Sequence, residues 1–308
     1  MKKTFQAGNT TTEGVIILVI LFVIMLVLPK GSPSPNGTLI GNGGSSIDNE
    51  NSPATPESSY SRDIFLDTGN AKYSYQSYEE YVTINNRGRE SINITNWQLK
   101  NGKDKRAYDL GSGLQYFPAD VAIIPRATLF ISPTGSNIFQ DVILQSGEKA
   151  IITTGNMGSQ TPYKITSFKE NICSGYLEDM DEYAFTPSLG RQCPRPANEP
   201  GVSGLDTECQ RFIGRMGSCH MPEFDTRDSE GNICSNCVDG KMLSGSCIAF
   251  IKSHFSYKGC IANHAGDSNF SGKTWRIFLG KGWEMWAEKY ETISLFDNLG
   301  QLVSYRSY

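Results

Sequence analysis

The chain has 308 residues, enough for one large domain or two small ones with a sizeable core. Its hydrophobic fraction of 38% lies below that of an average soluble domain, and 31 Gly with 14 Pro point to a turn-rich, mainly β body with long loops. A formal net charge of -4 leaves no basic footprint, so nucleic acid is not an expected partner.

Lys2 and Lys3 precede an uncharged apolar run from Gly14 to Pro29, after which the chain turns abruptly polar. About 15 apolar residues are short for a spanning helix, which takes about 17 to 25, and also suit the core of a secretion signal. No small-residue A-x-A arrangement follows the run, where LPKGSPSPNG stands instead. Residues 1–30 are therefore read as an uncleaved signal anchor forming one N-terminal transmembrane helix, with a cleaved signal and a buried core helix as alternatives. The positive-inside rule keeps the lysine end in the cytoplasm, so a single-pass protein of the cell membrane with an extracellular C-terminal domain is expected. The spacing of Gly8 and Glu13 ahead of the run also resembles the leader of type IV pilin-like proteins. That resemblance implies cleavage after the glycine and a surface assembly role, although Asn9, Thr10, Thr11 and Thr12 are polar where that family is usually apolar.

Residues 31–63 are rich in Pro, Gly, Ser and Asn with almost nothing apolar, too little to repay the entropy of folding. They read as a disordered linker able to hold a domain about 30 Å from the membrane. The body begins at Ile64 and runs to residue 308. Val82 and Ile84 form one side of a period-two alternation, Asn85-Asn86-Arg87-Gly88 reads as a turn, and Ile92 and Ile94 resume on the next strand. The apolar parity then shifts to Trp97 and Leu99, which a bulge or bend at Thr95-Asn96 would explain, since one extra residue flips every following side chain. Further strands are expected at Ala127–Ser132, Val142–Leu144 and Lys149–Thr154. Short strands with turn signals between them argue for a β-sandwich, in which Trp97 lies between the sheets; a sugar-stacking platform is its alternative role.

The stretches EYVTINN, NITNWQLKN, LQSGEKAIITTG and ETISLFDNLGQLVSY follow the order of strand motifs in lamin tail domains. The chain resembles a bacterial, membrane-anchored member of that family over about residues 73–155 and 275–308. The most specific pieces are the Trp-x-Leu strand at Trp97 and the closing hairpin with Leu295, Asp297, Gly300 and Val303. The resemblance implies an immunoglobulin-like β-sandwich and a binding or tethering module, and it brings no catalytic residues.

Residues 168–269 fall outside that pattern as a Cys-rich, partly helical insertion. All 8 cysteines lie in it: Cys173, Cys193, Cys209, Cys219, Cys234, Cys237, Cys247 and Cys260. LDTECQRFIGRMGSC and LSGSCIAFIKSHFSYKGC share Leu-x3-Cys-x2-Phe-Ile and a closing Cys, so Leu205, Cys209, Phe212 and Ile213, like Leu243, Cys247, Phe250 and Ile251, mark helical faces with an inward cysteine. An even count beyond an export signal points to disulfides, whose connectivity the sequence leaves open apart from the hint that Cys209 with Cys219, and Cys247 with Cys260, are treated alike. The alternative is zinc held by Cys219, His220, Cys234 and Cys237, or a redox-active Cys-x-x-Cys.

No arrangement of nucleophile, base and acid appears, no cofactor is implied, and the expected function is non-enzymatic, with an exported enzyme or thiol protein as the alternative. GDSNFSGKT is a chance echo of a phosphate loop, one residue too long and running into a strand. LEDMDEY lacks the ligand spacing of a calcium loop and reads as a solvated face. Trp283, Trp286 and Tyr290 follow the turn Gly280-Lys281-Gly282; a helical turn would place both tryptophans on one face, either packed on the sandwich edge or exposed as a ligand-binding surface. The partner expected for such a module is a cell-envelope polymer or another surface protein.

Overall fold

The computed structural model describes residues 56–308 except 104–106, 110, 112, 117, 158–161, 228–229, 233 and 235. The apolar run, the pilin-like leader and residues 31–55 of the linker lie outside the described residues; residues 56–63, expected in the linker, belong to the body, where Glu57 bridges Leu302 and Ser58 is buried. Among the described residues no helix is long and apolar enough to cross a membrane.

The protein is mainly β. Its larger sheet has seven strands in the order β1 (Ile64–Asp67), β2 (Tyr81–Asn86), β11 (Lys149–Thr153), β15 (Ser271–Phe278), β12 (Phe168–Asn171), β8 (Ala127–Thr128) and β9 (Phe139–Gln140). A second sheet has four, in the order β17 (Leu302–Ser307), β16 (Thr292–Phe296), β4 (Gln98–Asn101) and β7 (Val121–Ile123). A short ladder joins β3 (Ile92–Asn93) to β10 (Ile143–Leu144). Two-residue strands β13 (Cys237–Val238) and β14 (Lys241–Met242) make a hairpin. A separate unit contains the hairpin of β5 (Ala107–Asp109) and β6 (Leu114–Tyr116).

The alternation in β2 does what its period dictates: Val82, Ile84 and Asn86 point inward and the residues between them outward. One apolar core then collects Leu66, Val82, Ile84, Ile152 and Ile277 from the larger sheet with Leu99, Ile293, Leu295 and Val303 from the smaller one. Trp97 is 1% exposed at the centre of that core, with the Tyr60 ring 5.4 Å away. The parity shift before it has the expected cause. Asn96 takes φ 65°, a left-handed conformation that Asn tolerates, and Trp97 N–H closes a turn onto the Ile94 carbonyl.

Polar residues inside the core stop the strands and tie the turns. Asn86 accepts from Gly88 N–H and donates to the carbonyls of Glu90 and Leu144, so one buried amide ties the turn after β2 and holds β10; β2 and β3 do not pair, since β3 joins β10 instead. Asp297 accepts from the N–H groups of Leu299 and Gln301 while Gly300 adopts φ 76°, which accounts for the Asp-x-x-Gly spacing of the closing hairpin.

β11 and β15 run parallel, so the chain must cross over between them, and the cysteine-rich insertion occupies that crossover. Phe168–Asn171 forms β12 inside the sheet, and the insertion therefore spans 172–270, not 168–269. It is not an appendage. A second core combines Ile131, Ile165 and Phe168 of the sheet side with Tyr176, Leu177, Tyr257 and Phe270 of the insertion. Tyr257 is fully buried, and its hydroxyl donates to the Ile131 carbonyl at 2.8 Å. From the middle of the sheet, Arg276 pairs with Glu170 and donates to the carbonyls of Pro187 and Ser188, fastening the first insertion loop. Lys169 meets Glu148 at 2.6 Å on the other face of the sheet, beside Trp275.

Among the described residues the insertion holds four α-helices, α1 (Gly175–Glu178), α2 (Thr207–Ile213), α3 (Gly245–His254) and α4 (Tyr257–His264), and two 3-10 turns. The repeat predicted two. Its second copy breaks at Phe255, and Ser256 caps a further helix that carries Cys260. In α2 and α3 the caps are Asp206 and Ser244, which accept from Cys209 N–H and Cys247 N–H and also hydrogen-bond to each other at 2.7 Å. Cys209, Ile213, Cys247 and Ile251 are fully buried in a third, small core with Leu243, as the helical periodicity requires.

Candidate functional site

Two surfaces could meet a ligand. The first is built on the loop between β15 and β16. Glu80, buried at the start of β2, accepts from Met285 N–H at 2.7 Å and Trp286 N–H at 3.1 Å, while Asn101 donates to the Met285 carbonyl at 2.7 Å. Glu291 accepts from the N–H groups of Gly102, Ala287 and Thr292. These three side chains draw the loop inward, so no helical turn forms and the tryptophans do not share a face. Trp286 is 4% exposed and belongs to the main core, whereas Trp283 is 58% and Tyr290 68% exposed. The shared ligand face expected for Trp283, Trp286 and Tyr290 is thus corrected: Trp286 is a packing residue.

Trp283 is exposed yet held. Its indole N–H donates to Asp120 Oδ2 at 2.6 Å, and Lys281 Nζ lies 2.9 Å from Asp120 Oδ1 and 5.5 Å from the indole ring centre. Burial pushes the Asp120 carboxyl up, but the hydrogen bonds from Lys281 and Trp283 outweigh it and hold the group below the ordinary carboxylate value. Lys281 also donates to the Val121 carbonyl on edge strand β7, beside exposed Val121 and Ile123. The result is a fixed aromatic plate flanked by apolar side chains and one ion pair. Such a plate can stack on a flat, partly apolar ligand without first losing rotamer freedom.

The second surface lies in the insertion. A cleft of about 310 Å³ is lined by Arg211, Phe212, Arg215, Met216, His220 and Lys241, with Glu208, Gly217, Asp239 and Leu243 completing it. His220 Nε2 is 2.8 Å from Asp239 Oδ2 and its Nδ1 is 3.7 Å from Asp179 Oδ2. Asp179 also pairs with Arg191 and accepts from Met221 N–H. The acidic LEDMDEY stretch is therefore partly structural, since Asp179 and Glu178, which accepts from Leu189 N–H, tie insertion segments together. A second histidine clamp places His264 between Asp267 at 2.8 Å and Glu199 at 3.0 Å.

The cysteines pair as Cys173–Cys260, Cys193–Cys219, Cys209–Cys247 and Cys234–Cys237, and none is free. Cys209 does not pair with Cys219, nor Cys247 with Cys260: the first cysteines of the two copies bond to each other, and the closing ones bond back to Cys193 and Cys173. The zinc set Cys219, His220, Cys234 and Cys237 is corrected by this pairing, because three of its four members are disulfide sulfurs with no thiolate to offer. Among the described residues no other group of three His, Cys, Asp or Glu side chains could hold a metal. The Cys234–Cys237 pair is buried, with Cys237 on hairpin strand β13.

Sequence reasoning missed Asp120, Arg215 and Lys241, which become neighbours of their sites only through the fold. The one available signal was the Asp-Gly pair at Asp239-Gly240, a hairpin turn marker that brings Lys241 back towards α2. No protein-family model, no curated protein and no solved structure matches this chain.

Proposed function

We propose that this is a non-enzymatic binding or tethering module of the cell surface, held in the membrane by its N-terminal apolar run and displaying an immunoglobulin-like sandwich of the lamin tail kind. One observation carries the reading above others. All 8 cysteines of the chain are consumed in four disulfides that staple a single insertion, an arrangement that persists in an oxidising compartment. The lamin tail resemblance is supported by where its motifs fall. Glu80, Asn86, Asn101, Glu148, Glu291 and Asp297 all sit inside those motifs, and each is buried with its side chain bonded to a turn or a neighbouring strand. Trp283, exposed and locked by Asp120, is the contact residue of the sandwich.

The test is fractionation of cells producing the full chain, followed by protease added from outside and thiol titration without reductant. The expected outcome is membrane association, external digestion of the body and no titratable thiol. Recovery of intact, reduced protein from the soluble cytoplasm would overturn the reading. Trp283→Ala is expected to weaken capture of the envelope partner while leaving the unfolding midpoint unchanged.

A further inference from the structure

We propose that the cleft between α2 and the β13–β14 hairpin binds an anionic group, a phosphate or a carboxylate, carried on a ligand with a small apolar portion. This inference rests on the binding-module reading and assigns its ligand class. The cleft has an apolar lining of Phe212, Met216 and Leu243 and three cations, Arg211, Arg215 and Lys241.

What distinguishes these cations is that two of them, Arg215 and Lys241, are unspent and line one cleft. Elsewhere four positive groups of the insertion and its base are used internally: Arg191 on Asp179, Arg276 on Glu170, Lys169 on Glu148, and Arg227 on the Gly231 carbonyl. Among the described residues, Arg215 and Lys241 have no ion pair or side-chain hydrogen bond, and Arg211 has only a loose contact with Glu208 at 3.8 Å. The three cations outnumber the two acids of the lining, Glu208 and Asp239. Asp239 is occupied on both oxygens, by His220 at 2.8 Å and by Glu223 N–H at 2.7 Å. The carbonyls that end α2 are also occupied, since those of Gln210, Phe212 and Ile213 accept from the N–H groups of Gly214, Arg215 and Met216.

The walls are built to hold still. Cys209 fixes α2 to α3, Cys219 fixes the residue before His220, and Cys237 closes the hairpin two residues before Asp239. Three of the four disulfides thus flank one cleft, and preorganised donors lose little entropy on meeting an anion. Two arginines and a lysine supply planar and point-charge donors suited to phosphate or carboxylate oxygens.

The purified full chain is titrated calorimetrically with three probes: tripolyphosphate, trigalacturonate and neutral maltotriose, at 50 mM and 500 mM NaCl. One or both anions are expected to bind at least tenfold more tightly than maltotriose, with loss of affinity at high salt; whichever anion binds tighter assigns the source as phosphate or carboxylate. The double variant R215A/K241A is expected to weaken that anion at least tenfold at an unchanged melting midpoint, R215K to retain most of the affinity, and Lys149→Ala on the distant sheet to have no effect. Equal binding of all three probes, or an unchanged anion affinity in the folded double variant, overturns the proposal. A chain that captures its envelope partner yet ignores both anions refutes the ligand class alone, whereas anion binding by a reduced cytoplasmic protein refutes the surface role alone.

Discussion

Glu80 makes stability fall as pH rises, against the usual behaviour of a paired carboxylate. Its side chain is fully buried at the junction of β2 with the Trp283 loop. Burial pushes the carboxyl from 4.5 up to about 7, even though the backbone N–H groups of Met285 and Trp286 favour its ionised form. Because the folded state holds this proton more tightly than the unfolded chain, the contribution is fully present below pH 4.5 and is lost as pH rises through about 7. At about 1.4 kcal/mol per pH unit, the move from 4.5 to about 7 is worth about 3 kcal/mol. The assay is urea unfolding of the full chain, disulfides intact, followed by tryptophan fluorescence between pH 4 and 8.5. His264 and other groups contribute to the raw profile, so the quantity that matters is wild type minus Glu80→Gln, in which everything but this proton cancels. That difference is expected to decline by about 3 kcal/mol across the window and to level above it. A flat difference would refute the burial argument, and a rising one would show that the two backbone donors outweigh desolvation.

Trp97→Ala is expected to destabilise the sandwich by about 3 to 5 kcal/mol, the range for a buried large aromatic, and a loss below about 1 kcal/mol in urea unfolding would place it at the surface. Asn86→Ala leaves two buried backbone groups, Gly88 N–H and the Leu144 carbonyl, without their partner and is expected to cost about 3 kcal/mol, read in the same assay. Replacing Cys209 and Cys247 together by Ser opens a loop of sequence separation 38 and is expected to cost the insertion about 4 kcal/mol, seen as early proteolysis at α2 and α3 before the sheets unfold. For His264, burial lowers the basicity but the flanking Asp267 and Glu199 overcome it, so its NMR titration midpoint is expected above 6.5 and to drop in Glu199→Gln.

Much of the sandwich was legible because strand periodicity is a local property. Val82, Ile84, Trp97 and Leu99 declare their side by spacing alone, and Asn96 supplies the left-handed residue that the parity shift demands. Helical spacing in the insertion likewise foretold which cysteines turn inward, since Cys209 and Ile213, or Cys247 and Ile251, are one turn apart on one face. Pairing of those cysteines was beyond sequence, because it depends on which helices approach. The same holds for the second core, where Tyr257 and Phe168 meet across a separation that no local pattern encodes. The fate of the aromatic loop was decided entirely by long-range partners: Glu80 and Asn101, from distant strands, bury Trp286, and Asp120 keeps Trp283 outside and fixed. A backbone hydrogen bond from a remote carboxylate leaves no trace in the spacing of the residues it captures. The sequence by itself thus determined the alternating strands around Val82, Leu99 and Ile151, their inward faces and the oxidising chemistry of the cysteines, while the strand expected over Ala127–Ser132 shortens to Ala127–Thr128; only the tertiary structure decided which tryptophan is surface and which cations share a cleft.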